Sequence, residues 1–296
     1  MKINQEMKRK IVQVAAFGYS NTYIGNFVSG QIYKGRWKQF CNPGMNCYSC
    51  PAARLACPIG AMQAVSGSMN FKLSFYVIGF VLALGVVFGR AICGFFCPFG
   101  LIQELIYKIP FPKKKLWKWL TYVKYVLLAV FVVIMPVTMV NELGMSSPAF
   151  CEYICPAGTL EGGIPLLSTH PELRATLGAL FSVKACILII TLIGCLSVCR
   201  FFCKVMCPLG AIYGLLNKVS IYHMECNKKT CVSCGKCARA CKMDVDVTKT
   251  PNHTEGCRSS EESQFCRVHP MWKMCGIMPE RITGFEVRIW KKGIAS

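Results

Sequence analysis

Cys93-Gly94-Phe95-Phe96-Cys97-Pro98-Phe99-Gly100 is the stretch whose reading decides how this chain folds. Its second half recurs as Cys57-Pro58-Ile59-Gly60, Cys155-Pro156-Ala157-Gly158 and Cys207-Pro208-Leu209-Gly210. One thiol-bearing turn is used four times, always beside an apolar run, and such a repeat has to be explained first. Cys93, Cys151 and Cys203 add a second cysteine four residues upstream of three copies. Proline removes an amide and fixes the turn, and glycine lets the backbone approach a bulky group. A single copy reads equally well as a buried thiol at a membrane-edge turn. Four copies favour ligation of an inorganic centre, with nearby amide donors stabilising its negative charge.

Composition agrees with a membrane protein. Of 296 residues, 53% are hydrophobic and only 16% charged, and the mean hydropathy is positive, far from an ordinary soluble domain. Twenty-one cysteines in so apolar a chain do not make a small secreted disulfide scaffold. The net charge of +20 sits beside apolar runs, so the expected partner is the lipid bilayer and its anionic headgroups, not nucleic acid. The basic run Lys8-Arg9-Lys10 precedes a segment with no small-residue cleavage site, so no cleaved signal is expected.

Four segments are expected to cross the bilayer: residues 11–30, 71–89, 120–140 and 176–198. Lys72 snorkels at one edge, Trp117, Trp119, Tyr122 and Tyr125 form an aromatic belt, and Lys184 must face protein or water. Cys186 and Cys195 lack a partner at ligand spacing and read as helix packing. Residues 90–118 are strongly basic, whereas residues 141–173 hold Glu142, Glu152, Glu161 and Glu172 without Lys or Arg. The positive-inside rule then puts both termini in the cytoplasm of a multi-pass inner-membrane protein.

This topology divides the thiols into two sets. Cys93 and Cys97 with Cys199, Cys203 and Cys207 emerge on the cytoplasmic face, where together they could supply four thiolates to one cluster. Cys41, Cys47, Cys50 and Cys57 form an outer set with Cys151 and Cys155. Here a disulfide competes with a metal, because an outer face can be oxidising.

After the last span comes Cys231-Val232-Ser233-Cys234-Gly235-Lys236-Cys237-Ala238-Arg239-Ala240-Cys241. This is the C-x2-C-x2-C-x3-C run of bacterial ferredoxins, which holds [4Fe–4S] clusters, whereas zinc prefers two separated pairs. Cys257, Cys266 and Cys275 form no second run. The codons of Met271-Trp272-Lys273-Met274-Cys275, shifted by one base, spell Cys-Gly-(Lys or Arg)-Cys, and Met278 adds a further cysteine. The tail is therefore expected to be out of frame from near Gly256.

The Cys-x3-Cys-Pro turns at Cys93/Cys97 and Cys203/Cys207, together with the ferredoxin run, resemble the NapH-type membrane polyferredoxins. Residues 41–60 are similar to a loop of a NapH-like subgroup found in anaerobes. The resemblance covers about residues 9–250. It implies quinol-linked electron transfer in anaerobic respiration, as in the related iron–sulfur half of the nitrous-oxide reductase regulator family. It also implies [4Fe–4S] binding at Cys231, Cys234, Cys237 and Cys241, and a redox role for the two turns.

The expected fold is mainly α: a four-helix transmembrane bundle over residues 1–222 and a small cytoplasmic bacterial-ferredoxin-like domain over 223–256. Residues 257–296 form an atypical tail. The expected function is electron transfer through one or more [4Fe–4S] clusters to a redox partner protein or the quinone pool, as a component more than a stand-alone enzyme. A metal-handling assembly factor and a redox sensor are the alternatives. His170, His223, His253 and His269 all lie outside the expected spans, which removes a bis-histidine haem in the bundle, and no nucleotide-binding glycine fingerprint is present.

Overall fold

The computed structural model describes residues 5–66, 74–114, 116–139, 147–176, 178–217 and 219–221. The run at Cys231, Cys234, Cys237 and Cys241, the ferredoxin-like domain and the tail lie outside these residues. Among the described residues the chain is helical without a β-strand, and an isolated bridge pairs Cys41 with Ala56. The helices used below are α1 (Gln5–Ser20), α2 (Pro58–Ser66), α3 (Ser74–Phe88), α4 (Ala91–Phe95), α5 (Pro98–Tyr107), α6 (Leu120–Thr138), α7 (Ala179–Ser197), α8 (Phe201–Val205) and α9 (Pro208–Leu216).

Among the described residues two helices, not the expected four, are long and apolar enough to cross a bilayer: α6 and α7. Both turn apolar side chains outward, with Val133, Val137, Ile189, Ile190 and Ile193 exposed. Pro136 has no N–H to return to the preceding turn, and the π-helical stretch Leu128–Ile134 just before it takes up the mismatch. In the segment 71–89 the described apolar helix covers Tyr76–Phe88, short of the length a crossing needs. The segment 11–30 fails for a different reason. The Ser20 hydroxyl bonds the Ala16 carbonyl and lies 3.0 Å from Asn42 Oδ1, while Asn21 Nδ2 donates to the Phe17 carbonyl. These side chains end the helix, and Arg9, Gln13, Ser20 and Asn21 are buried against protein. A charge-free run that buries a polar face has no twenty-residue apolar surface to offer lipid.

The core gathers around the cysteine turns. Ile59, Ile92, Phe99, Phe150, Phe202, Leu209 and Tyr213 are buried in one cluster with the thiols, and Phe99 meets Phe202 edge to face at 5.0 Å. The first loop lies on the Cys97 turn. Tyr213 Oη donates to the Pro43 carbonyl at 2.9 Å, and Cys97 Sγ lies 3.9 Å from the Met45 carbonyl oxygen. The expectation that residues 41–57 and Cys93/Cys97 occupy opposite membrane faces is thereby overturned, because the two segments are in direct contact.

A buried ionic triad ties α1, α5 and α8 together. Arg9 donates from Nη1 and Nη2 to the two oxygens of Glu104 at 2.8 and 2.6 Å. Arg200, just ahead of α8, donates to the same carboxylate through Nε at 2.9 Å and through Nη2. Removing one member of such a group leaves uncompensated buried charge. Glu104→Ala is therefore expected to destabilise the protein by about 3–5 kcal/mol, read as a lower Tm in detergent. Glu172→Ala, at an exposed carboxylate, is expected to stay within about 0.5 kcal/mol.

Candidate functional site

Each Cys-Pro-x-Gly unit starts a helical turn. Cys97 and Cys207 are N-cap residues in extended conformation, and Pro98 and Pro208 open α5 and α9, where a missing N–H costs nothing. The free amides of the first turn then point at the sulfur. Gly210 N donates to Cys207 Sγ and Gly158 N to Cys155 Sγ, each at 3.3 Å. The Gly100 and Gly60 amides do the same for Cys97 and Cys57. Glycine also lets the turn pack closely: a Cβ on Gly100 would lie 3.2 Å from the Cys93 carbonyl oxygen, and one on Gly210 3.1 Å from that of Cys203.

The thiols assemble into two groups of four. Cys93, Cys97, Cys203 and Cys207 form one, within mutual electrostatic reach. Cys47, Cys57, Cys151 and Cys155 form the other. A Cβ on Gly158 would lie 3.7 Å from Cys155 Sγ and 3.8 Å from Cys47 Sγ, so these two sulfurs flank a single small gap. The eight thiols are free, with none joined in a disulfide. Burial pushes Cys93 up to about 11 and Cys151 up to about 12, and raises the other six as well. Desolvation disfavours the thiolate, a cost that a Lewis-acidic metal centre bonded to sulfur would offset.

Cys41 and Cys50, also expected in the outer set, lie beside the second group. Cys41 is near Cys57, and Cys50 packs beside Cys47 with Glu161 and Lys38 close by. The third loop supplies Cys151 and Cys155 to this group and the first loop Cys47 and Cys57.

The two groups share a feature absent from the sequence reading. Gln63 and Gln103 each stand six residues after the cysteine of a Cys-Pro-x-Gly unit, on α2 and α5. Gln63 Nε2 donates to Cys151 Sγ at 3.5 Å, and its Oε1 accepts from Phe150 N at 2.8 Å. Gln103 Nε2 donates to Cys203 Sγ at 3.2 Å, and its Oε1 accepts from Phe202 N at 3.1 Å. Both amides are fully buried. Thus Cys57, Gln63, Phe150, Cys151 and Cys155 repeat as Cys97, Gln103, Phe202, Cys203 and Cys207. The extended pattern Cys-Pro-x-Gly-x2-Gln was the available signal.

The groups sit at different levels beside α7. Lys184 Nζ donates to the Cys151 carbonyl, and Cys195 Sγ lies 3.7 Å from Gln103 Oε1. These two positions on α7 are separated by about 16 Å along the helix axis. The chain itself links the groups, because Met45, which touches Cys97, stands at most about 7 Å in Cα distance from Cys47.

Among the described residues, no three His, Cys, Asp or Glu side chains close to the spacing of a single ion. A zinc site would bring three or four ligands to about 2.0–2.3 Å from one metal. Four buried thiols that meet amide donors around a gap cleared by glycine suit a larger inorganic core.

Comparison with known proteins agrees. The model of a 4Fe-4S binding domain matches the chain three times, over residues 73–118, 124–168 and 180–222, and each copy carries one Cys-x3-Cys-Pro turn. The uncharacterized protein MJ0750 of Methanocaldococcus jannaschii is 30% identical over 213 residues, covering 69% of this chain and 79% of that protein. The chain belongs to this 4Fe-4S binding family. The putative electron transport protein YccM of Escherichia coli is 27% identical over 62% of the chain, and the methylamine utilization ferredoxin-type protein MauN of Methylorubrum extorquens 26% over 57%. The chain spans about half the length of each, 48% and 53% respectively. No solved structure matches it. As a member of the 4Fe-4S binding family the chain takes [4Fe–4S] as its cofactor, and the buried thiol groups fit that cofactor chemically.

Two substitutions check the geometry. Gln103→Leu strips Cys203 of its amide donor and leaves the buried Phe202 N–H unpaired. The expected loss is about 1–3 kcal/mol, measured as Tm in detergent, with Gln63→Leu giving a loss of similar size. Gly44→Ala puts a Cβ 2.5 Å from Cys97 Cα and 2.8 Å from the Phe96 oxygen. The loop must shift, at an expected cost of about 1–3 kcal/mol, together with faster release of iron to a chelator.

Proposed function

We propose that this chain is a membrane-bound electron-transfer protein with one [4Fe–4S] cluster held by Cys93, Cys97, Cys203 and Cys207 and a second held by Cys47, Cys57, Cys151 and Cys155. The observation that carries the reading is the duplicated constellation. Two four-thiol groups, each with Cys-Pro-x-Gly turns and a buried glutamine aimed at one sulfur, are built from different segments to the same plan. A bound cluster supplies reversible one-electron chemistry at each site. The chain supplies the rest: apolar burial excludes water, glycine and glutamine N–H groups offset thiolate charge, and the rigid turns keep the ligands in place between oxidation states.

The same reading takes Cys231, Cys234, Cys237 and Cys241 as ligands of a ferredoxin-type cluster. It places the protein in the inner membrane through α6 and α7, whose exposed flanks are apolar. Trp117 and Trp119 stand exposed just ahead of α6, with Lys113, Lys114 and Lys118 nearby, as an interface belt and positive-inside signal require. Both termini are taken as cytoplasmic, because Lys8-Arg9-Lys10 and the lysines before α6 favour that face. YccM, by its name an electron transport protein, and MauN, by its name ferredoxin-type, favour a carrier over an enzyme. The NapH-type resemblance adds a partner class, a redox protein or the quinone pool.

The test is anaerobic purification with iron and sulfide quantitation and electron paramagnetic resonance. Cys97→Ser and Cys155→Ser are each expected to abolish a different cluster signal, and Cys186→Ser, at an exposed thiol on α7, to abolish neither. A colourless preparation containing zinc in place of iron would end the proposal.

A further inference from the structure

The two thiol groups share their turns and glutamines but differ in the charges around them. Arg200 donates to the Cys93 carbonyl at 2.9 Å and to the Gly94 carbonyl at 3.3 Å, and Arg9 donates to the Gly94 carbonyl at 3.3 Å. Both guanidiniums are buried and share the single carboxylate of Glu104. Lys204, next to Cys203 in the chain, is buried as well. Arg90 and Lys124 add positive potential at Cys93. Arg9, Arg90, Arg200, Lys124 and Lys204 thus surround Cys93, Cys97, Cys203 and Cys207, with the Glu104 carboxylate held between Arg9 and Arg200.

The other group has the reverse emphasis. Lys184 reaches the Cys151 carbonyl, and Lys38 lies near Cys47 and Cys50. Opposite them stands Glu161, buried, with Oε2 accepting from Cys47 N at 2.9 Å. This shell thus holds fewer cations than the first, and its buried carboxylate bonds the backbone of a group cysteine instead of a guanidinium.

Arg200 marks the first shell as built. It is the one described non-glycine residue with positive φ, at 57°, a left-handed conformation that side chains with a Cβ rarely adopt. The surrounding bonds hold it there, and the result is a guanidinium lying along the Cys93–Gly94 backbone.

We propose that this difference in buried charge sets the two sites at unequal reduction potentials, with the shell of Arg9, Arg90, Arg200 and Lys204 favouring the reduced, more negative state at the Cys93/Cys97/Cys203/Cys207 site. The inference rests on the two-cluster reading above. Adding one electron makes a thiolate-ligated centre more negative, and buried cations stabilise that form more than the oxidised one. Shared turns and glutamines contribute alike at both sites, so the charges decide the order. One electron entering from a low-potential iron–sulfur carrier, and leaving to a one-electron acceptor of higher potential, then runs downhill from the Cys47 side to the Cys93 side. No bond is made or broken.

The experiment is a potentiometric titration of the full chain in detergent, monitored by electron paramagnetic resonance, with signals assigned by Cys97→Ser and Cys155→Ser. The signal lost in Cys97→Ser is expected to have the higher midpoint. Arg200→Gln and, separately, Lys204→Gln are expected to lower that midpoint and leave the other in place. The reduced-to-oxidised ratio at fixed potential should fall about tenfold, equivalent to 59 mV for one electron. Lys204→Gln leaves the triad intact and keeps the question open to measurement if Arg200→Gln does not fold. Equal midpoints, the reverse order, or cation variants that move both signals alike would overturn the inference. If the two cysteine variants fail to remove separate signals, the two-cluster reading falls and this inference with it, and the spectra show that before any potential is measured.

Discussion

Eight thiols gathered inside an apolar core, which the proposed clusters would hold as thiolates, impose the constraint on which the rest of this structure depends. A buried thiolate without donors is costly, and desolvation alone raises each of these groups. The chain answers with its own backbone. A cysteine at the N-cap followed by proline frees the amides of the first helical turn, and glycine two residues later brings one of them onto the sulfur. The four repeats are four uses of one local solution.

Local turns do not by themselves make a site. Gln63 and Gln103 join a helix that begins at one cysteine to a Phe-Cys pair far away in the chain, with the amide N–H on sulfur and the amide oxygen on the Phe N–H. Each glutamine orders two segments around one gap. The Arg9, Glu104 and Arg200 contacts then lock α1 and α8 against the Cys93 turn. Ligand grouping, packing and charge are parts of one arrangement, with the two groups offset along α7 and connected through Met45.

That arrangement explains where the sequence misleads. Residues 11–30 carry no charge and look long enough to cross a bilayer, yet Ser20 and Asn21 find partners in the protein and end the helix. Arg9, just outside the run, is drawn inward by Glu104, which stands almost a hundred residues away. The positive-inside argument separated Cys41–Cys57 from Cys93 and Cys97 because it counted four crossings. With α6 and α7 as the two helices of sufficient length, the separation lapses, and the Pro43 to Tyr213 and Met45 to Cys97 contacts replace it. The helical class, the turns and the cluster type were legible because proline, glycine and cysteine spacing act within a few residues. The glutamines lay outside that range of inspection, although their offset from the cysteine is constant.

The sequence by itself determined the donor chemistry: four Cys-Pro-x-Gly units, three of them with a cysteine one turn earlier, in a chain too apolar for a disulfide scaffold. It determined α6 and α7 as well, since a long apolar run needs no distant partner to declare itself. Only the tertiary structure decided which thiols meet. Cys57 joins Cys151, and Cys97 joins Cys203, across about a hundred residues of chain, and spacing carries no information at that distance. It also decided that more cations surround one group than the other. Burial and electrostatics belong to neighbours in space, and the fold alone chooses those neighbours.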